Sequence, residues 1–281
     1  MQSPWRWALR AVLLVVAAVA WLTSPPAHAQ DEVPFITTPD GVTLAMLQLA
    51  GVGAQDFVID LGSGDGRIVV TAARRFGARG LGVEIVPELV ATSRRNAQLA
   101  GVAERTEFRV QDLFATDLSA ATVVTMYLLP AVNLQLRPRL LALRPGTRIV
   151  SHDWDLGDWL PDSSLNVDAP DKPIGLEKRS RVHLWVVPAR VEGLWCSEGA
   201  QLRLTQRFQQ FSGTLQAGTA AAPVAVFDGR LQGTTGRIDA GQTGHGGELS
   251  LTGTRLLLRQ ATGALAMLDG RRFTPAGPQG C

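Results

Sequence analysis

Four acids and three glycines in the first half of the chain have the types and spacing that hold a charged nucleoside. Asp60, Gly62, Gly64 and Gly66 fall at alternate positions in the run DLGSGDG, with Ser63 and Asp65 between them. An apolar stretch precedes the run and a helical pattern follows it. Glycines there allow a sharp turn and a close ligand approach, because no Cβ intervenes. A strand, a glycine turn and a helix N-terminus in that order form a nucleotide-type binding loop. The dinucleotide spacing G-x-G-x-x-G is not met, since Arg67 stands at the third glycine position, and no G-K-[ST] of a phosphate loop follows. Asp60 and Asp65 beside the glycines would repel a pyrophosphate. They suit S-adenosylmethionine, which carries an ammonium and a sulfonium and no phosphate. Glu84, at the end of the next strand, is placed to accept both ribose hydroxyl protons. Asp112, after a third strand, is placed to take an adenine amino group. The expected donor-binding set is Asp60, Gly62, Ser63, Gly64, Asp65, Gly66, Glu84 and Asp112.

Methyl transfer is an in-line displacement at an already activated carbon, so positioning contributes most, on the order of 7–11 kcal/mol. A lysine acceptor must first lose a proton from an amine of reference pKa about 10.4, which a dry pocket or a nearby base favours. The candidate residues for this work lie after the fourth and fifth strands. Tyr127, the sole tyrosine, ends the fourth strand and reads as channel lining or as a buried aromatic with a backbone partner. Asn133 reads as an amine ligand or a helix N-cap. His152 and Asp153, in SHDWD, read as a proton relay and an amine-orienting carboxylate, or as groups that satisfy loop backbone. Trp154 and Trp159 read as an acceptor wall or as packing. His183 reads as structural, His245 as part of a flexible turn or a ligand site, and Arg67 as a helix start facing solvent or Asp65. No cluster has metal-ligand spacing.

Strand and helix alternate from residue 40 to 188, as in a doubly wound parallel sheet. Helices are expected over about 40–50, 66–76, 87–100 (Leu89, Val90 and Leu99 inward) and 133–143, with Pro138 marking a kink or early break. Strands are expected at 57–59, 81–83, 106–110, 121–127 and 148–151. A long loop covers about 155–178, and 181–187 forms a closing strand. Right-handed crossovers place every loop after a strand on one edge, so Asp60, Glu84, Asp112, Tyr127 and His152 share it. From residue 191 short alternating runs separated by glycine turns, the last at 264–268, predict a small meander, sandwich or half-barrel.

With these residues placed, 34–188 resemble the class I, seven-β-strand S-adenosylmethionine-dependent methyltransferases. The motif D-x-G-x-G-x-G is met by Asp60, Gly62, Gly64 and Gly66. PFITTP (34–39), DLGSGDGRIVVTAA (60–73), DLF…DLSAATVVTMYLLP (112–130) and LRPGTRIVSHDWDLGDW (143–159) are similar to the group of lysine methyltransferases that act on the ATP synthase c subunit and on adenine nucleotide translocase. The resemblance implies an α/β, doubly wound Rossmann-like seven-stranded sheet over 30–188, and the alternating runs add a small all-β domain over 189–281. It implies S-adenosylmethionine as methyl donor, no metal, and protein-lysine N-methylation of a membrane-associated protein. A small-molecule methyltransferase, or a non-catalytic exported module that keeps the fold, is the alternative. The β tail and the leader are not part of the mitochondrial pattern.

Residues 1–29 read as an export signal. Arg6 and Arg10 precede the apolar run 11–22, and Ala27-His28-Ala29 is a small-x-small cleavage pattern. Twelve apolar residues are short for a span, yet an uncleaved anchor near a membrane is the other reading. Both place the body in the periplasm or envelope of a bacterial host. Without Arg6 and Arg10, the 27 basic residues become 25, equal to the 25 acids. That balance argues against nucleic acid as a partner. Cys196 and Cys281 are the only cysteines. They either pair in an oxidising compartment or leave a free terminal thiol.

Overall fold

The computed structural model describes residues 36–173, 175–218, 222–241 and 243–281. The expected signal or anchor at 1–29 lies outside the described residues. None of the described helices is long and apolar enough to cross a membrane.

The first half runs α1 (Asp40–Leu49), β1 (Phe57–Leu61), α2 (Arg67–Phe76), β2 (Arg79–Glu84), α3 (Pro87–Leu99), β3 (Thr106–Val110), β4 (Val123–Met126) and α4 (Pro130–Leu141). It ends with β5 (Arg148–His152), β6 (Ser163–Asp168) and β7 (Arg179–Val186). The seven strands form one sheet in the order β3-β2-β1-β4-β5-β7-β6. β1 to β5 are parallel, and β7 lies antiparallel between β5 and β6. The strand order reverses between β1 and β4, where Asp60 pairs with Thr125. A crevice at such a reversal is where open α/β sheets take ligands.

The two-residue period of each strand divides the core. Val58, Val123, Val150 and Val182 pack with α1 and Ile68 and Ala72 of α2. Their neighbours Ile59, Val124, Ile149 and Trp185 pack with Leu136 and Leu140 of α4. In α3 the inward residues are Val90, Ser93 and Ala97. Leu99, expected inward, is exposed, because two positions past Ala97 is about 200° around the helix. Pro138 does not break α4. The N–H it lacks would have served the carbonyl of Leu134, whose side chain is exposed, so water can serve it instead.

The expected 155–178 loop contains an edge strand, β6. Its SSLNVD offers only Leu165 and Val167 as apolar signal, too little to separate it from a loop.

The remaining strands are β8 (Gly193–Ser197), β9 (Ala200–Arg207), β10 (Gln210–Ala217), β11 (Ala225–Gln232), β12 (Thr235–Ile238), β13 (Gly247–Thr252), β14 (Arg255–Arg259) and β15 (Arg272–Pro275). They form a closed antiparallel barrel in which β15 returns to β8. Residues 264–268, expected as a strand, lie instead in a 3-10 turn, Gly263–Leu268, which turns Leu265 and Leu268 inward. Trp195, Phe211, Phe227, Phe273 and a set of leucines fill the interior, so this eight-stranded barrel is a packed core. Cys196 and Cys281 are bonded, with Cα atoms 5.5 Å apart.

Among the described residues no helix follows β5. The face it would have covered is closed by the 153–162 segment and the tip of the β9–β10 hairpin. Phe208, at that tip, stacks on buried Trp159 with centroids 6.1 Å apart and joins the core on the α4 side of the sheet. Arg207 bonds to Asp158, Gln209 donates to the Leu160 carbonyl, and Arg230 bonds to Asp162. Trp159 is therefore part of the junction between sheet and barrel, not an acceptor wall.

Candidate functional site

The glycine turn after β1 is built on left-handed backbone, with φ of 72° at Gly62, 53° at Gly64 and 78° at Gly66. At Gly66 the choice is forced twice. A Cβ there would meet Phe108 and Ser93 at 2.7 Å, and the conformation itself disfavours side chains. The turn is tied down from several elements. The Gly62 and Ser63 N–H groups donate to the Val83 carbonyl, Ser93 Oγ donates to the Gly64 carbonyl, and Asn96 donates to the Asp65 carbonyl. Neither Ser93 nor Asn96 carries a signal in the sequence, since each is a small polar residue inside a helical pattern.

Glu84 ends β2 with one oxygen accepting from Gly64 N–H at 3.0 Å and the other from Ile85 and Val86 N–H. Its carboxylate is thus fixed at the mouth of the glycine turn, with lone pairs to spare for hydroxyl donors. Asp112 is exposed, and only its Oδ1 is engaged, by Phe114 N–H. Ser63 Oγ is buried against Gly82 and has no partner.

The two aspartates of the turn differ. Asp60 is buried beneath it, accepts from Thr125 Oγ1 at 2.7 Å, and is pushed up to about 7, first by burial and then by the neighbouring charges of Asp65 and Glu84. Asp65 forms a fork with Arg67, whose guanidinium also donates to the Thr38 carbonyl. With Asp65 paired to Arg67 and Asp60 holding its proton up to about pH 7, the unpaired carboxylate at the turn is that of Glu84, and Arg67 serves as the strap that holds the lead-in segment against the turn. Buried carboxyl, glycine cradle and fixed Glu84 fit a nucleoside that brings its own positive charge.

The acceptor-side residues gather beyond β4. Tyr127 is half-buried, and its ring lies 3.9 Å from that of His152. Burial first, and then the Asp153 carboxylate, push the Tyr127 phenol up, so it stays protonated. His152 is fully buried. Its Nδ1 is 3.2 Å from Thr38 Oγ1 and its Nε2 is 2.8 Å from Ser180 Oγ. Burial pushes it down to about 4. A neutral ring with both nitrogens engaged by hydroxyls supports Tyr127 and links β5, β7 and the lead-in. Its Nε2 also lies 3.5 Å from Asp153 Oδ2.

Asp153 adopts a positive φ of 62°. Its Oδ1 accepts from Arg181 N–H, and its Oδ2 lies 2.7 Å from Lys172 Nζ. Asn133 is not an N-cap: Leu129 holds that position, and Asn133 sits inside α4, fully buried. Its amide donates to the carbonyls of Trp154 and Asp155, anchoring the segment after β5, while its Oδ1 is buried without a partner. Trp154 is exposed at the same edge. His183 bonds to Ser164 and lies on β7 opposite Ser151, next to the cluster, while His245 accepts from Ala264 N–H in the barrel. Thr38, within PFITTP, bonds to both halves of the site: its hydroxyl to His152 and its carbonyl to Arg67.

Residues 60–163 match the family described as ANTKMT methyltransferase domain. A protein-lysine N-methyltransferase of Saccharolobus islandicus (strain REY15A) is 43% identical over 139 residues, which is 49% of this chain and 86% of that protein. The lysine N-methyltransferase of the ATP synthase c subunit from Xenopus laevis is 35% identical over 154 residues, 53% of this chain and 66% of that protein. A crystal structure described as an RNA methyltransferase from Salinibacter ruber in complex with S-adenosyl-L-homocysteine is 50% identical. It aligns with a TM-score of 0.51 over 56% of this chain and 96% of that one.

Proposed function

The chain belongs to the family of S-adenosylmethionine-dependent methyltransferases that the Saccharolobus protein represents, and from that premise we propose that it methylates the side-chain amine of a protein lysine. The observation that carries this reading is the pairing of Tyr127 with Asp153 beside the switch point, where the Asp153 carboxylate bears on the phenol. A carboxylate there attracts and orients an ammonium and takes its proton. A half-buried aromatic excludes water and favours the neutral amine. Asp60 and Glu84 hold the donor, which supplies an activated methyl group. Asn133 and Ser180 act indirectly, by keeping the 153–155 segment and His152 in place.

RNA, named for the Salinibacter protein, is the second reading, favoured by the 50% identity. Against it stands the even balance of 25 basic and 25 acidic residues beyond position 29, left after Arg6 and Arg10 are taken from the 27. Such a balance offers no surplus of cations to track phosphates. Incubation with labelled donor, protein extract and total RNA separates the two. Methyl-lysine in the protein hydrolysate is the expected result, and label confined to RNA would reverse the assignment.

The location we infer is outside the cytoplasm, with the acceptor at or near a membrane. The leader-like composition of 1–29 and the Cys196–Cys281 bond support it, since disulfides persist in oxidising compartments. Cell fractionation with N-terminal sequencing tests it. An unprocessed chain recovered from the cytoplasm would sink it.

A further inference from the structure

The chain has 27 basic residues other than histidine, and only Lys172 and Lys178 among them are lysines, leaving 27 − 2 = 25 arginines. Both lysines lie between β6 and β7. The pairings His152 with Val182 and Asp168 with Arg179 put that connection on the edge that carries Asp153. The Lys172 side chain is 14% exposed, and its Nζ lies 2.7 Å from Asp153 Oδ2 while donating to the Arg179 carbonyl at 2.8 Å. Lys178 Nζ donates to the Lys172 carbonyl. A primary ammonium is thus held on the carboxylate that faces Tyr127, in a chain that uses arginine almost everywhere else. Arginine would grip Asp153 with a two-pronged fork, whereas only lysine readily sheds a proton to become a nucleophile.

We propose that Lys172 is a self-methylation site, its amine already resting where a substrate amine is to be received. The inference rests on the lysine reading above. The ammonium passes one proton to Asp153 or to water. The nitrogen lone pair then forms an N–C bond as the S–C bond of the donor breaks with its electron pair on sulfur. The products are a positively charged methyl-lysine and S-adenosylhomocysteine. One methyl leaves N–H groups for both Asp153 and the Arg179 carbonyl. A third removes the last of them and frees this loop from the carboxylate.

The test is peptide mass mapping of the protein as isolated and after incubation with isotopically labelled donor, at several enzyme concentrations, alongside Lys172→Arg, Lys178→Arg and Tyr127→Phe. Label on Lys172 at a per-molecule rate independent of concentration, lost in Lys172→Arg and slowed in Tyr127→Phe, is expected. An unlabelled Lys172 while added protein extract is labelled would overturn this inference alone, as would label confined to Lys178 or a rate that scales with concentration. Donor binding by calorimetry with no labelled lysine in any protein would overturn the lysine reading beneath it.

Discussion

The donor half and the acceptor half of the sheet edge are held together in different ways. The donor half is made by main chain and near neighbours. The Gly62–Gly66 turn, Glu84, Ser93, Asn96 and Asp112 fall within about fifty residues, and backbone amides fix the half-buried Glu84 carboxylate. The acceptor half is made by side chains gathered from the whole first two thirds of the chain. His152 leans on Thr38 and Ser180, Asp153 on Lys172 and Arg181, and the following segment on Asn133 and the barrel tip. A turn built from backbone serves one unchanging ligand. A pocket built from long-range side-chain contacts can be altered for a new acceptor without disturbing the donor.

Four measurements would break or sharpen that contrast. The largest effect is expected at Asp60. It holds its proton to about pH 7 in the fold, against 3.8 when unfolded. The folded chain therefore binds more protons between those values, and stability falls as pH rises through that window, with the full penalty above pH 7. Three units correspond to at most about 4 kcal/mol. Asp60→Asn should raise the urea midpoint at pH 8, leave it unchanged near pH 3.5, and still weaken donor binding. Equal midpoints at pH 8 would mean that burial there is already compensated.

Next is Gly66→Ala, which adds a Cβ 2.7 Å from Phe108 and Ser93 on left-handed backbone. A loss of about 2–4 kcal/mol is expected from strain and overpacking, with donor affinity falling in the same titration. Retained affinity would show that the turn tolerates distortion. Tyr127→Phe should leave the donor dissociation constant within a factor of about two and lower kcat about tenfold, near 1.4 kcal/mol. Weakened donor binding would place Tyr127 on the donor side of the division. The smallest effect is expected at Arg207→Ala. It removes one of the two arginines on the exposed Asp158, a pair that solvent screens to little net worth. Thermal melts should shift by no more than a few degrees.

The same contrast governs what could be read before folding. The donor turn was legible because its requirements are local: positive φ, no Cβ, and acids at strand ends. The doubly wound sheet and the shared edge followed from alternation and crossover handedness, and the strand order had to come from the fold. Tyr127, His152 and Asp153 were legible as positions after strands, but not the support given by Thr38, Ser180 and Lys172, which nothing short of the tertiary fold brings within reach. Asn133 looked equally like a cap and a ligand because both use the same amide chemistry, and only its place inside α4 removes the first. β6 was hidden because its inward face carries only Leu165 and Val167, too short a period to separate from a loop. The barrel was foreseen as β structure, and its closure was not, since the short strands β8, β12 and β15 carry few alternating residues each.

That closure has a consequence of its own. β9 and β10 pair along the full length of both strands, whereas β15 is held to β14 by Leu256 with Phe273 and Leu257 with Arg272. It is held to β8 by Thr274 with Cys196 and Pro275 with Trp195. The bond from Cys196 to the terminal Cys281 lies across this thin seam and closes a span of 85 residues. By loop-closure entropy a bridge of that span is worth about 4–5 kcal/mol. The barrel thus has a latch, and the latch belongs to the surroundings: an oxidant sets it and a reductant lifts it. With the latch lifted, β8 and β15 become two ragged edges able to pair with another chain. Closure of the ring is therefore set by redox conditions, and a molecule whose Cys196 and Cys281 are still reduced carries this vulnerability until an oxidant arrives.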